Sequence, residues 1–544
     1  MLFYQDKKYP TQKGESWLDA CGRLRLHDVL AVCVGGEPRD LSDTAKGDAR
    51  ALTYQDEEGR RVYERTLRFV MLLAASDIYP GLRLRVENSI GRGLLVSVLN
   101  ARFGPKAVKR LEDEMKRVCA LALPFVRTEV NDREAIEYYR AKGQNDKAEL
   151  LAWREKATFP LYECGGMKDY FYGVMAPDTS RVGVFALSST QGGFVLRLPD
   201  PASPDVPAPL APTKKLLETF RESNAWQRIL GVENAPDLNR LTRSGEIREF
   251  IRVNEALVDM KINSIARRIM EKGARLVLIA GPSSSGKTTF CNRLFIALRV
   301  LGARPVKLSL DDYYLDRDKV PLDDDGKPDL ECVEALDTPL INRQLKRILK
   351  GEEVEVPTFD FVTQKRAKAT HRLRVEPGAP ILIEGIHGLN DKLTGSIPAA
   401  QKFKIYISAL INLNLDDHNR IRTTDARLIR RLVRDSAFRG TPVEKTLDMW
   451  PSVRRGEDRY IFPYQEKADV MINSSLVYEL AVMKKYIYGP LCRIPPENPD
   501  YAQARRLVKF LNYIQSADVE DEIPLNSLLR EFIGGSCFYR EDEK

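Results

Sequence analysis

Hydrophobic positions change their period several times along the chain. Up to about residue 60 the apolar runs are short and broken by turns, as in Val34-Gly35-Gly36, which marks a small β-rich unit. From Arg65 to Ser76 the spacing becomes helical, with Leu67, Val70, Met71 and Ala74 on one face. The pattern then predicts a strand at 93–98, a helix at 107–121, a charged helical stretch at 132–156 and a β-rich stretch at 159–197. A long helix follows at 246–271, carried by Phe250, Ile251, Ala256, Leu257, Met260, Ile265 and Ile269. Beyond it, short apolar runs at 276–280, 306–310, 381–383 and 404–408 alternate with helical ones. That alternation calls for a parallel sheet flanked by helices. Past Ile494 come a proline-rich turn and two helical segments.

Prolines crowd the stretch 198–212 (Leu-Pro-Asp-Pro-Ala-Ser-Pro-Asp-Val-Pro-Ala-Pro-Leu-Ala-Pro). Proline fixes φ and lacks an N–H, so this reads as a stiff extended linker between an N-terminal and a C-terminal half.

The first strand of the C-terminal half leads into Gly281-Pro282-Ser283-Ser284-Ser285-Gly286-Lys287-Thr288-Thr289, and an apolar helix follows. Strand, glycine-bounded loop and helix start, in that order, are the context of a phosphate-binding P-loop. The glycines let backbone N–H groups turn inward, and the helix start adds partial positive charge. Lys287 is expected to reach the terminal phosphates and Thr288 to bind Mg²⁺, so the chain is expected to bind ATP or GTP.

Three further groups fit a kinase. Asp311 and Asp312 close one strand, at the sheet edge where ligands of α/β folds bind, and either could act as base toward a hydroxyl acceptor. Glu384 closes another and suits a Mg²⁺ ligand. Arg427, Arg430, Arg431 and Arg434 fall at i, i+3, i+4 and i+7, one helical stripe. Like charges so placed repel, which is explained if the stripe closes over phosphate oxygens; a solvated basic face is the alternative. His387 and His418 lack metal-ligand partners at suitable spacing and are expected to be structural.

Composition narrows the picture. Net charge is +8, compatible with anionic ligands without arguing for nucleic acid. The 8 cysteines are scattered, with no CxxC pair. The longest apolar run, 69–76, is too short to cross a membrane, and the N-terminus lacks a signal-peptide core. The expectation is a cytoplasmic protein with no membrane partner.

These blocks, with Phe359-Asp360-Phe361-Val362-Thr363-Gln364-Lys365-Arg366 and Glu384-Gly385, resemble the uridine kinase and phosphoribulokinase branch of the P-loop kinases in content and order over roughly 274–470. The resemblance implies ATP- and Mg²⁺-dependent phosphorylation of a nucleoside 5′-hydroxyl. By it, Asp311 matches the catalytic aspartate, Glu331 an aspartate on the ribose hydroxyls, Arg427 an arginine near the sugar, and Arg430 and Arg431 the lid. Tyr314, Glu331, Phe359, Gln364 and Arg427 form the acceptor side. Gln364 stands where the family carries a base-reading histidine, and Phe359 where it carries a tyrosine.

The N-terminal half resembles the front of threonyl-tRNA synthetases, on Val34-Gly35-Gly36-Glu37-Pro38-Arg39-Asp40-Leu41 and Tyr63-Glu64-Arg65-Thr66-Leu67-Arg68-Phe69. That implies a ubiquitin-like TGS domain followed by an editing-type domain. The family's metal-ligand positions are occupied here by Arg65, Phe69, Cys164 and Lys168, so a binding or structural role fits better than editing hydrolysis.

The expected organisation is a TGS-like β-grasp domain (1–60), an editing-like α+β domain (61–198), a linker and connecting segment (199–244), a P-loop kinase domain (245–490) and a C-terminal helical extension on the kinase (491–544). Uridine or cytidine kinase activity is the leading expectation. The alternatives are a sugar-phosphate kinase, and a regulatory ATPase contacting RNA through the N-terminal half. A homo-oligomer is compatible with the sequence.

Overall fold

The computed structural model describes residues 1–153, 158–210, 213–323, 326–360 and 363–539. The chain opens with a five-stranded sheet wrapped on the short helix Trp17–Arg23, whose start is closed by a Ser16–Asp19 capping box. Helix α1 (Glu57–Ile78) follows, buried along most of its length from Val62 to Ala75. It packs on a four-stranded antiparallel sheet that includes Leu84–Ile90 and Gly93–Val98. The charged stretch beginning at Asp132 forms two helices, Asp132–Ala141 and Asn145–Ala152, separated at Gly143, whose φ of +71° suits glycine. Its last residues, Arg154 to Lys156, lie outside the described residues.

The proline-rich stretch corrects an expectation. Pro199–Asp200 and Ser203–Pro207 pair as a two-stranded antiparallel ribbon, and the Tyr54 hydroxyl donates to the Pro199 carbonyl at 2.9 Å. A two-stranded ribbon is all edge, so proline's missing N–H breaks no interior ladder. Ala211 and Pro212 lie outside the described residues. Two helices, Lys214–Leu230 and Ala235–Ser244, then lead into α2 (Ile247–Lys272).

The sheet of the C-terminal half contains β1 (Leu276–Ala280), β2 (Val306–Ser309), β3 (Ile381–Glu384), β4 (Lys402–Ser408) and β5 (Val470–Asn473), with α3 (Lys287–Val300) between β1 and β2. Spatial order is β2-β3-β1-β4-β5, and every pair is parallel. Residues of β1 are buried throughout, as expected of a central strand covered on both faces. Helices α4 (Thr423–Phe438), α5 (Val443–Tyr460) and α6 (Glu479–Cys492) complete the layers. The C-terminal segment adds α7 (Tyr501–Leu511) and the one-turn α8 (Arg530–Ile533), and its Leu507, Leu511, Leu528 and Phe532 enter the same core.

The two halves share packing. Ile90, Leu95 and Val195 join a cluster with Leu216, Phe220 and Tyr406. The Val86 N–H donates to the Asp417 carbonyl at 2.8 Å. His418 Nδ1 lies 2.9 Å from Asp169 and 2.7 Å from Lys147, so this histidine ties the halves together in a buried polar network.

Candidate functional site

β1 ends at Ala280 and the chain turns at Gly281, where an added Cβ would stand 1.9 Å from the Ile407 carbonyl oxygen. Only glycine allows the loop to leave so close to β4. Ser284 and Gly286 take positive φ (+57° and +79°), and α3 begins at Lys287. The expected phosphate-binding residues Gly281, Ser283, Ser284, Ser285, Gly286, Lys287, Thr288 and Thr289 thus form one turn opening a helix. The Ser283 N–H donates to Glu457 at 3.1 Å. The Thr289 N–H and hydroxyl donate to Glu531 of α8 at 3.1 and 2.8 Å. Lys287 donates to the Pro282 carbonyl at 3.1 Å. The Ser284 and Ser285 hydroxyls are buried without a hydrogen-bond partner among the described residues.

Register places the carboxylates at the same edge. Ile279 in β1 is opposite Glu384 in β3, which is opposite Ser309 in β2. The next turn, Leu310–Tyr313, carries Asp311. Burial lowers the Lys287 pKa, while Asp311, then Glu384, Glu531 and Glu457, pull it back up. Burial also raises Asp311, against the pull of Lys287 and Arg439. Glu384 is pushed up to about 7, by burial first and then by repulsion from Asp311, although Lys287 and a hydrogen bond from Thr288 oppose the rise. Its Oε2 is buried without a hydrogen-bond partner among the described residues. An orphaned carboxylate oxygen beside a threonine hydroxyl suits Mg²⁺, which takes hard oxygen ligands and is held by one or two carboxylates with substrate phosphates completing the shell. Among the described residues no group of three or more His, Cys, Asp or Glu side chains gathers as a metal cage.

The arginine stripe requires correction. Arg427 and Arg430 are 1% and 0% exposed, facing inward from α4. Arg427 pairs with Glu457 and donates to the Ser283 carbonyl at 3.2 Å. Arg430 pairs with Glu479 and donates to the Ser284 carbonyl at 3.4 Å. A fully buried guanidinium locked to a carboxylate cannot swing over a substrate. These two act as struts beneath the P-loop, and Arg427 is not placed to touch a sugar. Arg434 is taken up by Asp435 at 2.9 Å. Arg431 alone keeps the expected orientation: it donates to the Ser283 hydroxyl at 3.2 Å and acts electrostatically on Glu331.

On the acceptor side, Glu331 is half-buried beside Gly456, where an added Cβ would lie 2.4 Å from the Glu331 Cβ. Burial, then repulsion from Glu457, push its pKa up to about 7, with Arg431 and Lys287 opposing. The Tyr314 ring lies 5.7 Å from that of Phe359, and its hydroxyl donates to the Leu330 carbonyl at 3.1 Å. The Gln364 amide oxygen accepts from Arg317 at 2.6 Å, which directs the amide. Phe361 and Val362 of the same block lie outside the described residues. His387 is buried, and burial lowers its pKa to about 4, against a catalytic proton-carrying role at neutral pH.

Sequence reasoning missed Glu457, Glu479, Arg439 and Glu531. The three carboxylates reach the P-loop or its supports from distant segments, Arg439 follows the stripe's helix and acts on Asp311, and no local motif marks any of them. In the N-terminal half, Arg65 donates to the Val174 carbonyl at 3.0 Å, Phe69 packs edge-on against Phe125, Cys164 faces the Leu123 carbonyl, and Lys168 pairs with Glu163.

Residues 276–480 match the model of the phosphoribulokinase/uridine kinase family. The uridine kinase of Staphylococcus aureus (strain JH9) is 30% identical over 202 residues, 37% of this chain and 88% of that enzyme. The threonine–tRNA ligase of Finegoldia magna is 28% identical over 186 residues, 33% of this chain, and the chain spans only 29% of the ligase. Among solved structures, one titled a possible uridine kinase from Bacillus stearothermophilus covers 40% of this chain and 98% of its own, at 19% identity and a TM-score of 0.28.

Proposed function

The chain belongs to the phosphoribulokinase/uridine kinase family, and we propose that it transfers the γ-phosphate of ATP to the 5′-hydroxyl of a pyrimidine nucleoside. The observation that carries this reading is the convergence of Asp311 and Glu384, from adjoining strand ends, on the field of Lys287 in the P-loop.

The P-loop amides and Lys287 hold the phosphates. Thr288 and Glu384 would hold Mg²⁺, which when bound neutralises charge on the β- and γ-phosphates. Asp311 orients the acceptor hydroxyl and takes its proton late, with Lys287 and Arg439 favouring its ionised form. Arg431 supplies positive charge beside the P-loop, and the Arg427 and Arg430 struts fix the loop carbonyls. Catalysis on this reading is positioning and electrostatics.

Glu331 favours a nucleoside over a sugar phosphate. A second phosphate on the acceptor would meet the Glu331 carboxyl, whereas ribose hydroxyls can donate to it. ADP release is the test, with uridine, cytidine, adenosine, guanosine and ribulose 5-phosphate as acceptors under Mg²⁺ and ATP. Turnover with uridine or cytidine supports the reading; turnover with ribulose 5-phosphate alone refutes it.

A further inference from the structure

Where helix α1 crosses the C-terminal half, six guanidinium groups share three buried or half-buried carboxylates. Helix α1 contributes Glu58, Arg61, Arg65 and Arg68 at i, i+3, i+7 and i+10, a single face, with Glu64 alongside. Arg420, Arg422, the first turn of α4 at Asp425, and Arg506 of α7 complete the junction. Arg61 lies 2.7 Å from Glu58 and 2.5 Å from Glu57 at the solvent edge. Arg65 lies 3.6 Å from the same Glu58. Glu64 is divided among Arg422 at 2.9 Å, Arg420 at 3.5 Å and Arg68 at 4.0 Å. Arg506 pairs with Asp425.

Arg61, Arg65, Arg68, Arg420, Arg422 and Arg506 against Glu58, Glu64 and Asp425 leave three positive charges uncompensated. Glu57 removes one at the rim. Lys509, exposed on α7 and in no ion pair among the described residues, restores it. The surplus is not solvated: Arg65 and Arg68 are each 6% exposed. Among the described residues Arg65 Nη2 has no hydrogen-bond partner, nor has the Nε of Arg61, Arg68, Arg420 or Arg506. Burial, aided by neighbouring arginines, lowers the pKa of Arg65, Arg420 and Arg506, and holds Arg68 at about 10. Leaving buried charge uncompensated is strongly destabilising, so a fold that gathers this surplus of three here lacks a counter-charge.

We infer that this junction is a binding site for a small ligand carrying two or more phosphate groups, entering beside Lys509 and Arg505. Guanidinium forks match phosphate oxygens in pairs. A phosphate monoester brings about −1.5 to −2 charges at neutral pH, so two such groups meet the surplus. A nucleic-acid backbone fits less well, because it would reach the rim residues Lys509, Arg505 and Arg422 but not the buried Arg65 and Arg68. The site lies apart from the P-loop yet shares α4 with it: Asp425 on the first turn faces the junction, and Arg427 and Arg430 hold the P-loop carbonyls. The inference does not depend on which acceptor the kinase half uses.

The test uses the full chain carrying Lys287→Ala, which weakens phosphate binding at the P-loop. Pyrophosphate is titrated by calorimetry at low salt, and thermal melting is recorded with and without it. Saturable binding with a raised melting temperature is expected, weakening steeply with salt. Adding the rim change Lys509→Ala should weaken it at least tenfold while the ligand-free melting temperature holds, since Lys509 is exposed. Absence of saturable binding, or equal affinity in the rim variant, overturns the inference. So does an oligouridylate that binds the same residues more tightly than pyrophosphate, which would make the junction an RNA site.

Discussion

The backbone N–H of Thr289 donates to the Glu531 carboxylate at 3.1 Å, and the Thr289 hydroxyl donates to the same oxygen at 2.8 Å. Amides at the start of a helix that follows a P-loop are phosphate donors. A carboxylate from the C-terminal segment therefore holds a donor that a nucleotide phosphate needs. The segment is anchored there: Phe532 lies 4.9 Å from the Arg430 guanidinium, and the Leu528 side chain would be 3.6 Å from a Cβ at Gly286. Glu531→Ala frees the amide and removes a negative charge that acts on Lys287 and Glu384. A hydrogen bond to a charged group contributes about 1.5–3 kcal/mol, so ATP should bind about tenfold more tightly or better. Equilibrium titration with a fluorescent ATP analogue checks this; unchanged or weaker binding would contradict it.

Arg427 and Arg430 should behave as structural residues. Removing one partner of a buried pair leaves the other charge uncompensated, at a cost of about 3–5 kcal/mol. Arg427→Met and Arg430→Met should each lower stability by that order in urea unfolding. A lid residue would lower kcat with unfolding unchanged.

Arg431 should show the opposite behaviour. It is partly accessible, pairs with Asp435 at 3.2 Å and reaches Ser283 beside the phosphate site. Arg431→Ala should reduce kcat by about 10²-fold, the scale for losing one preorganised electrostatic contact, with little change in melting temperature. A variant with normal turnover would remove Arg431 from the transition state.

Glu331 sets a pH dependence. Its pKa rises from 4.5 unfolded to about 7 folded, chiefly through burial. Folding therefore favours the neutral form, so this group's stabilising contribution is complete below pH 4.5 and is lost as pH rises through about 7. The loss amounts to roughly 3 kcal/mol across that window. Glu331→Gln lacks it, so the variant should gain stability relative to wild type at pH 8 but hardly at pH 4.5. Urea unfolding at both values is the check, and a pH-independent difference would show that Glu331 is not held in its neutral form.

Much of the fold was legible because its signals are local. The β1 run, the glycines of the P-loop and the α3 pattern lie within one stretch of sequence, and strand-end positions placed Asp311 and Glu384 at one edge. The arginine stripe shows the limit. Spacing establishes that Arg427, Arg430, Arg431 and Arg434 share a helix face, not whether that face meets solvent or Glu457 and Glu479. Those carboxylates, like Glu531, come from 30 or more residues away and carry no periodic signal. The proline-rich stretch misled for a related reason: a ribbon with two free edges accommodates proline, and pairing partners are invisible to composition.

Formation of uridine 5′-monophosphate from uridine and ATP with Mg²⁺, followed by mass spectrometry in wild type and Asp311→Asn, tests the central claim most directly. The account predicts product from wild type, product reduced at least 10³-fold in the variant, and ATP binding retained by both, since the change leaves the P-loop intact. Undiminished product formation by Asp311→Asn would contradict it.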